Sequence, residues 1–482
     1  MWQPRFYQAK KRLIKTWPPE SKKKFLLSEA TMENRRCSTI PRILFEIITF
    51  LCEVLPIRSV PTFIELLVGA MITQSGFVTQ AWLAINPLRT WTSYYKWLQK
   101  GKWSWVAVGL QLARVVIRFF PQKRWLLILD DTFVYRSSRK APGSGTYHQH
   151  GNKSNRPVYA RGQCWVSLAL SISKGFKHAA IPLLSRLMRV DGNTGKLVAA
   201  RVLLRAIDQV FAARKTTVLM DSWYMKWPLL SFILDLDFHA IGQVRRDTAL
   251  YGMPVLTGKR GRPAKYGLKY TPERVEELEE TVEELWLYGK KQKIHYRSVQ
   301  CLARFLKGRL VKVVWTQFED SVGNLRKSRL LLSTDPTLSA REIILSYGKR
   351  WAIEDLFNQM KNSWGWRETW QQSRQVLHRW TQILSAAYAI PQLMAIYRPE
   401  LWMKALEMMP WRKEGVVTAG LVRVVMQRFF GNVRVRDWWN PKCRKFEDTY
   451  YALSKEYAQR LRKPPGGVNN HTRGHNFWSS PG

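Results

Sequence analysis

Two short apolar runs, each ending in aspartate, constrain the fold of this chain most strongly. The run "RWLLILDDT" ends at Asp130 and Asp131, and the run "TTVLMDS" ends at Asp221. Aliphatic runs of this length between polar residues are typical of strands buried within a sheet. An acid at the end of such a strand reaches the edge of the sheet, where it is most often a cap or turn residue. The two runs therefore predict an α/β core with carboxylates at one edge.

The residues that follow the first acidic pair favour a functional role for it. From Thr132 to Val190 there is no Asp or Glu, whereas ten Lys and Arg lie in the same stretch. Carboxylate oxygens are the ligands that Mg²⁺ prefers, and cations hold phosphates. Carboxylates at the head of a basic stretch therefore suit a site where metal ions meet a polyanion.

A third acid lies in a periodic segment, "YGKRWAIEDLFNQMK", with the spacing Tyr347-x2-Arg350-x3-Glu354-x6-Lys361. The segment has no internal Pro and follows a Ser-x-x-Glu capping box, so the sequence predicts a helix. At about 100° per residue the four side chains fall within about 60° of one another and form a single stripe. This stripe is either a solvated helix face with chance charges or a phosphate-facing surface that carries one metal ligand.

Together the two strand-end acids and the stripe resemble the DDE transposases of bacterial insertion sequences, in the subgroup with a Tyr-Arg-Glu-Lys signature. The chain places Asp221 91 residues after Asp130, and Glu354 133 residues after Asp221. The second interval is long enough for the mostly β domain that this subgroup inserts before the glutamate. The first aspartate of the family commonly precedes Ser or Thr, which favours Asp131, whereas the strand end favours Asp130. We predict Asp130, with Asp131 as the alternative.

The resemblance also implies a ribonuclease H-like core, retroviral integrase-like, and roles for individual residues. It implies three catalytic metal ligands for two Mg²⁺ ions, with Mn²⁺ as a substitute: Asp130, Asp221 and Glu354. It implies contacts to the DNA backbone near the scissile phosphate from the rest of the stripe: Tyr347, Arg350 and Lys361. It further implies a homodimer on paired element ends. A DNA hairpin intermediate is usual in the subgroup, and the sequence leaves open whether Trp286 or Trp315 would support one.

Charge and length agree with a DNA partner. The 482 residues carry a formal net charge of +43, from 78 Lys and Arg against 35 Asp and Glu. This excess indicates nucleic acid as the partner. No uncharged apolar run reaches the length of about 18 residues that a membrane span needs, and no signal peptide is expected. Five scattered cysteines fit a reducing cytoplasm. We therefore expect a cytoplasmic, nucleoid-associated protein without membrane contact.

The chain is long enough for several domains. The composition predicts these segments: a basic arm over 1–38, a helical DNA-binding domain over 39–120, a catalytic core over 121–244 and 337–400, an insertion domain over 245–336, and a basic helical C-terminal region with a disordered tail over 401–482. The N-terminal helical region carries aromatics among lysines in "WTSYYKWLQKGKWSWVAV". Such aromatics either stack on bases or pack in a core, and here we expect partial burial.

Three elements are predicted within the insertion. The segment "GKRGRPAKYG" resembles an AT-hook, in which Arg260 and Arg262 would enter a narrow minor groove, although a Gly- and Pro-rich surface loop is an equal alternative. The segment "TPERVEELEETVEEL" predicts a capped acidic helix with glutamates from Glu273 to Glu284. A β-hairpin is predicted around residues 322–324.

These features predict a transposase that binds the ends of its own mobile element, cleaves the DNA and joins it to target DNA by metal-dependent strand transfer. Two alternatives remain open. One is a non-catalytic DNA-binding protein, such as a domesticated transposase or a repressor. The other is a metal-dependent nuclease of the same fold that cuts without joining.

Overall fold

The computed structural model describes most of the chain between residues 42 and 446. The described ranges are 42–87, 89–148, 158–175, 177–188, 194–255, 262–408, 416–430, 434, 439–440, 442 and 445–446. Residues Pro41–Gly482 form one compact unit, whose described part is considered below. The predicted basic arm and the predicted disordered tail lie outside the described residues.

The first part of this unit is helical. Its helices are α1 (Arg42–Cys52), α2 (Val60–Ile72), α3 (Val78–Leu83), α4 (Trp91–Lys100) and α5 (Trp105–Phe119). The Ser104 side chain caps α5 by accepting a hydrogen bond from the Ala107 amide. Much of the aromatic cluster packs inward, since Tyr94 is buried and Trp97 stacks on Trp103 at 4.8 Å. These rings therefore contribute to the core of the helical domain.

Eleven of the described strands form one mixed sheet. They are β1 (Trp125–Tyr135), β2 (Ser144–His148), β3 (Tyr159–Lys174), β4 (Lys177–Leu187), β5 (Thr216–Met220), β6 (His239–Val244), β7 (Leu250–Tyr251), β8 (Thr281–Leu287), β9 (Lys290–Ala303), β10 (Arg309–Phe318) and β11 (Arg329–Ser333). The order is β2-β3-β1-β5-β6-β11-β10-β9-β7, with β4 also paired to β3 and β8 to β9. The predicted mixed α/β class is confirmed, whereas the ribonuclease H-like identity stays a prediction.

The centre of the sheet positions the acids. Strand β1 pairs with β3 in antiparallel and with β5 in parallel orientation, and β5 pairs in parallel with β6. All described residues of β5 are buried, as expected for a parallel strand covered on both faces. The predicted end of the first strand at Asp130 is wrong, because β1 continues to Tyr135 through its pairing with β3.

The insertion extends the same sheet. Strand β11 pairs with β6 of the core and with β10 in an antiparallel hairpin, so the predicted hairpin is confirmed. The predicted acidic helix is wrong beyond its first turn, since α8 (Pro272–Glu276) ends early and β8 follows. Leu285 and Leu287 are buried while the residues between and before them are exposed. This alternation matches a strand on the sheet surface, and pairing with β9 outweighs the helical propensity of the glutamates.

The remaining described helices cover the core sheet and follow the insertion. They are α6 (Thr194–Phe211), α7 (Trp227–Asp235), α9 (Ala340–Gly348), α10 (Ala352–Asn362), α11 (Arg374–Tyr397) and α12 (Ala419–Phe430). The predicted continuous helix through the stripe is interrupted, because a 3-10 turn at Lys349–Trp351 separates α9 from α10. Helix α11 is buried along nearly its whole length.

Three further observations concern the described residues: a short strand pair, the lack of a membrane-spanning helix among them, and three buried thiols. A short antiparallel pair joins β12 (Trp439–Asn440) to β13 (Lys445–Phe446). Within the described part of the chain, no helix combines the length and apolarity needed to cross a membrane. Cys52, Cys164 and Cys301 are buried free thiols.

Candidate active site

Asp130 and Asp221 lie side by side where the parallel pairing of β1 with β5 ends. In the β1–β5 ladder Leu129 lies opposite Met220, so the next residue of each strand is an aspartate. Residues opposite each other in a ladder point to the same face. The Asp221 Oδ1 atom accepts hydrogen bonds from the amides of Trp223 and Tyr224, at 3.0 and 3.2 Å. These bonds fix the carboxylate at the turn after β5.

Arg350 joins Asp130 to the third predicted acid. Its Nη1 atom donates to Asp130 Oδ2 at 2.9 Å, and its Nη2 atom donates to Glu354 Oε1 at 3.1 Å. Arg350 lies in the 3-10 turn before α10, and Glu354 lies in the first turn of that helix. A single guanidinium thus spans carboxylates that come from the sheet and from the helix.

Asp131 belongs to a different cluster. Successive side chains of a strand point to opposite faces, so Asp131 is turned away from Asp130. Its carboxylate forms an ion pair with Lys196 Nζ at 2.8 Å and accepts a hydrogen bond from the Tyr224 hydroxyl at 3.0 Å. The Cys164 thiol is also within hydrogen-bonding distance of it. The neighbours of Asp131 therefore already satisfy its charge.

Burial makes the two facing aspartates reluctant to ionise together. It raises the pKa of Asp130 to about 7, which the charges of Asp221 and Asp131 reinforce, and the ion pair with Arg350 offsets this shift only in part. Burial also raises the pKa of Asp221, in opposition to its two backbone hydrogen bonds and to Arg350. A pair of carboxylates with raised pKa values in close proximity is an environment that favours a bound cation.

The other residues of the stripe occupy two different positions. Tyr347, at the end of α9, is mostly buried, and its ring centroid lies 5.8 Å from the Arg350 guanidinium carbon. Lys361, at the end of α10, lines an open cleft of about 290 Å³ together with Glu354. The cleft also contains Thr132, Phe133, Tyr135, Phe357, Asn358 and Arg367. The structure thus brings Lys361 to the acidic site, whereas Tyr347 packs beneath Arg350.

The predicted DNA contacts in the insertion are only partly described. Arg262 is exposed in the loop after β7, and Arg260 lies outside the described residues. Trp286 is half-exposed on β8, whereas Trp315 on β10 packs beside Tyr270 at a centroid distance of 6.3 Å. The roles of these four residues stay predictions.

The donors at the site fit a divalent metal in their chemistry. Three carboxylates at the end of one strand pair and the start of one helix offer the hard oxygen ligands that Mg²⁺ or Mn²⁺ takes. Among the described residues, however, no three His, Cys, Asp or Glu side chains stand in a ready metal-binding cluster. The Arg350 guanidinium lies between Asp130 and Glu354, where two of the proposed ligands would have to converge.

Two partners of the acidic pair were not identified from the sequence. Lys196 lies at the start of α6, 65 residues after the acid that it binds, and Tyr224 lies 93 residues after it. Tyr224 follows Asp221 by three residues in "DSWY", and this spacing places Tyr224 in the turn after β5. The spacing does not indicate that the Tyr224 hydroxyl donates to Asp131. Contacts between such distant segments depend on the fold, and local spacing does not indicate them.

The comparisons with known proteins are consistent with this geometry. A family model described as "DDE superfamily endonuclease" matches residues 64–304, half of the chain. The match includes Asp130, Asp131 and Asp221, and it ends before Glu354. A search of curated proteins gives no match.

Proposed function

The chain belongs to the DDE superfamily of endonucleases, and within it we propose that the protein acts as a DNA transposase. It would bind the ends of a mobile element, cut the DNA and join the ends to target DNA. The observation that carries the proposal is that Arg350 bridges Asp130 to Glu354, while Asp221 directly follows the strand that pairs with β1 beside Asp130. The sheet order β4-β3-β1-β5-β6, with β3 antiparallel, supports the ribonuclease H-like core proposed with it.

The family implies a DNA substrate and, in general, divalent metals. We propose that Asp130, Asp221 and Glu354 hold two Mg²⁺ ions, with Mn²⁺ as a substitute. When bound, such ions activate water or a 3′-hydroxyl and stabilise the leaving oxygen of an in-line displacement. The raised pKa of Asp130 supports the assignment, because burial and the charges of Asp221 and Asp131 disfavour its ionised form, and a bound cation would offset them.

The protein's own side chains would position the phosphodiester. Lys361 lines the cleft beside Glu354, from which its ammonium would contact a phosphate oxygen as a point charge. Arg350 would contact the backbone with the planar fork that suits phosphate. Asp131 would serve as a positioning residue, because its bond to Tyr224 and its place beside Asp130 tie β1 to the turn after β5.

Single isosteric substitutions at the three acids test the proposal. Asp130→Asn, Asp221→Asn and Glu354→Gln each remove a charge but keep the shape, so cleavage and joining should fall by at least about a thousandfold. Binding to duplex DNA should persist. Asp235→Asn, at the exposed end of α7, is the matched control and should keep normal activity. The measurements are cleavage and strand-transfer assays on DNA carrying the sequences that flank the gene.

Different outcomes separate the possible errors. Loss of cleavage in Asp131→Asn, with normal cleavage in Asp130→Asn, would mean that the wrong member of the pair was chosen. Normal cleavage in all the variants would refute the site. Cleavage without joining by the unmodified protein would identify a nuclease of the same fold, and DNA binding without cleavage would identify a repressor or domesticated protein.

A further inference from the structure

We propose that Arg350 closes the carboxylate site in the DNA-free protein and moves to a phosphodiester when DNA binds, so that metal and DNA enter together. This proposal rests on the proposed function, because it takes Asp130 and Glu354 as metal ligands. The family assignment does not contain this coupling between metal binding and DNA binding.

The geometry shows one cation shared by two acids. Arg350 donates to Asp130 at 2.9 Å and to Glu354 at 3.1 Å, one nitrogen to each. The Arg350 side chain is 13% exposed and the Asp130 side chain is 16% exposed, so the shared cation is largely shielded from water. Charge pairs that are shielded from water are screened little by salt. Arg350 is therefore the counter-ion of the site in the absence of metal.

A metal ion and the guanidinium compete for the same oxygens. Mg²⁺ takes oxygen ligands at about 2.0–2.1 Å in a nearly octahedral arrangement. A metal that draws Asp130 and Glu354 together would also meet the positive charge of Arg350 at short range. Occupation of the site by metal therefore requires Arg350 to release at least one of the two carboxylates.

Phosphate offers Arg350 a matching alternative partner. A guanidinium recognises phosphate and carboxylate with the same parallel pair of N–H groups. Arg350 lies in the 3-10 turn between α9 and α10, and Glu354 is the more exposed of its two partners, at 40%. The Tyr347 ring, 5.8 Å away, offers the side chain a surface to pack on after release. DNA that draws Arg350 away would thus open the site for metal, and the coupling is reciprocal.

Calorimetric titration of the full-length protein with Mn²⁺, with and without a short blunt DNA duplex, tests this coupling. Without DNA, Arg350→Ala should bind Mn²⁺ about tenfold more tightly than the wild-type protein, a typical coupling between two ligands. Lys349→Ala removes the same charge from the same turn and is the matched control, since Lys349 has no ion pair within the described part of the chain. Its Mn²⁺ affinity should change by less than about twofold, because a charge in the same turn without a carboxylate partner adds little coupling.

Two further arms keep the test decisive. Adding duplex should tighten Mn²⁺ binding in the wild-type protein, and Arg350→Ala should lose most of this gain. Arg350→Lys keeps the charge but lacks the planar fork that presents a separate nitrogen to each carboxylate. Its Mn²⁺ affinity should lie between those of the wild-type protein and Arg350→Ala, and it replaces Arg350→Ala if that variant fails to fold.

The outcomes distinguish this inference from the proposed function. If Asp221→Asn weakens Mn²⁺ binding while neither Arg350 variant tightens it, the inference is wrong and the metal site stands. If Asp221→Asn leaves Mn²⁺ binding unchanged, the proposed metal site itself is wrong. Equal tightening in Lys349→Ala and Arg350→Ala would show a general charge effect and would also overturn the inference.

Discussion

The imidazole of His378 on α11 is held neutral by its surroundings. It stacks on Trp105 at 4.9 Å and meets the edge of Trp165 at 5.3 Å. The Leu187 amide donates to Nε2, so the proton lies on Nδ1, which donates to the Arg374 carbonyl at 2.8 Å. Burial lowers the pKa of His378 to about 4, and the charges of the nearby arginines act in the same direction.

This burial predicts a loss of stability in acid. The folded-state pKa of His378 lies below the ordinary value of 6.5. The contribution of the neutral imidazole to the free energy of unfolding is therefore fully present above pH 6.5, and it is lost as the pH falls through about 4. The loss should reach about 3–4 kcal/mol below pH 4, from the difference between 6.5 and about 4 at about 1.4 kcal/mol per unit of pKa. His378→Gln removes the titrating group, so its free energy of unfolding should depend less on pH. Urea denaturation between pH 4.5 and 7.5 measures the difference, and equal slopes for both proteins would contradict the assignment.

The adjacent acids show what local sequence can and cannot determine at the residue scale. The apolar runs were sufficient to predict that Asp130 and Asp221 directly follow buried strand residues, because burial of such runs depends little on the rest of the fold. The choice between Asp130 and Asp131 depends on the register of β1 against β5. This register is set by the pairing of two strands that are far apart in the sequence, so neither run shows it alone. The same holds for Arg350, because a stripe on a helix shows which residues share a face but not that one of them bridges to a strand.

At the scale of elements, a buried arginine fixes the segment after the glutamate helix. Arg136, at the end of β1, donates to Gln163 and to the Arg367 carbonyl and Thr369 hydroxyl beyond α10. No carboxylate faces it among the described residues, and burial lowers its pKa to about 10. The Glu368 carboxylate holds the same segment from the other side by accepting from the Ser75 hydroxyl at 2.8 Å. These contacts tie the helix of Glu354 to the sheet and to the helical domain.

Arg136→Ala should therefore lower both stability and turnover. The buried Gln163 side-chain oxygen and Thr369 hydroxyl lose their Arg136 donors, at a cost of about 2–4 kcal/mol in the free energy of unfolding. The rate of cleavage should fall further than the affinity for DNA, because the displaced helix carries Glu354 and not the bulk of the basic surface. Thermal denaturation and single-turnover cleavage measure the two effects.

A structural role alone would give a different result. Arg139→Ala, in the exposed turn three residues on, is the control and should match the wild-type protein in both measurements. Arg136→Lys keeps the charge but has fewer hydrogen-bond donors. Its stability and its cleavage rate should therefore lie between those of the wild-type protein and Arg136→Ala. If Arg136→Ala loses stability but keeps its single-turnover rate in folded protein, Arg136 does not position Glu354.

Elements were predictable where one local signal dominates. The hairpin of β10 and β11 follows from the turn residues between its two strands. The segment after Glu276 was not predictable, because its glutamates favour a helix while pairing with β9 forms a strand. The break at Lys349–Trp351 was also not predictable, because the only signal is Gly348 at the end of α9, and an isolated Gly inside a helical pattern does not by itself end a helix.

At the scale of the whole molecule, the insertion and the core share one sheet. Strand β11 lies between β6 and β10, and β7, the strand before the exposed Arg262, lies at the end of the same sheet that carries the acids. The family resemblance implies a separate, mostly β insertion. Composition marks where such an insertion begins, but it does not show which edge of the sheet the insertion joins. The homodimer stays a prediction.

The net charge of +43 predicts DNA binding that weakens steeply with salt. Each phosphate that the protein neutralises contributes about −0.9 to the slope of log affinity against log salt concentration. Six or more phosphate contacts would give a slope steeper than about −5.

Arg262→Ala should reduce the slope by about one unit if this exposed arginine contacts a phosphate. Arg245 already pairs with Asp247 at 2.7 Å, so Arg245→Ala is the matched control and should leave the slope nearly unchanged. Gel-shift titrations over a range of salt concentrations measure all three proteins, and a flat response of the wild-type protein would refute a nucleic-acid partner.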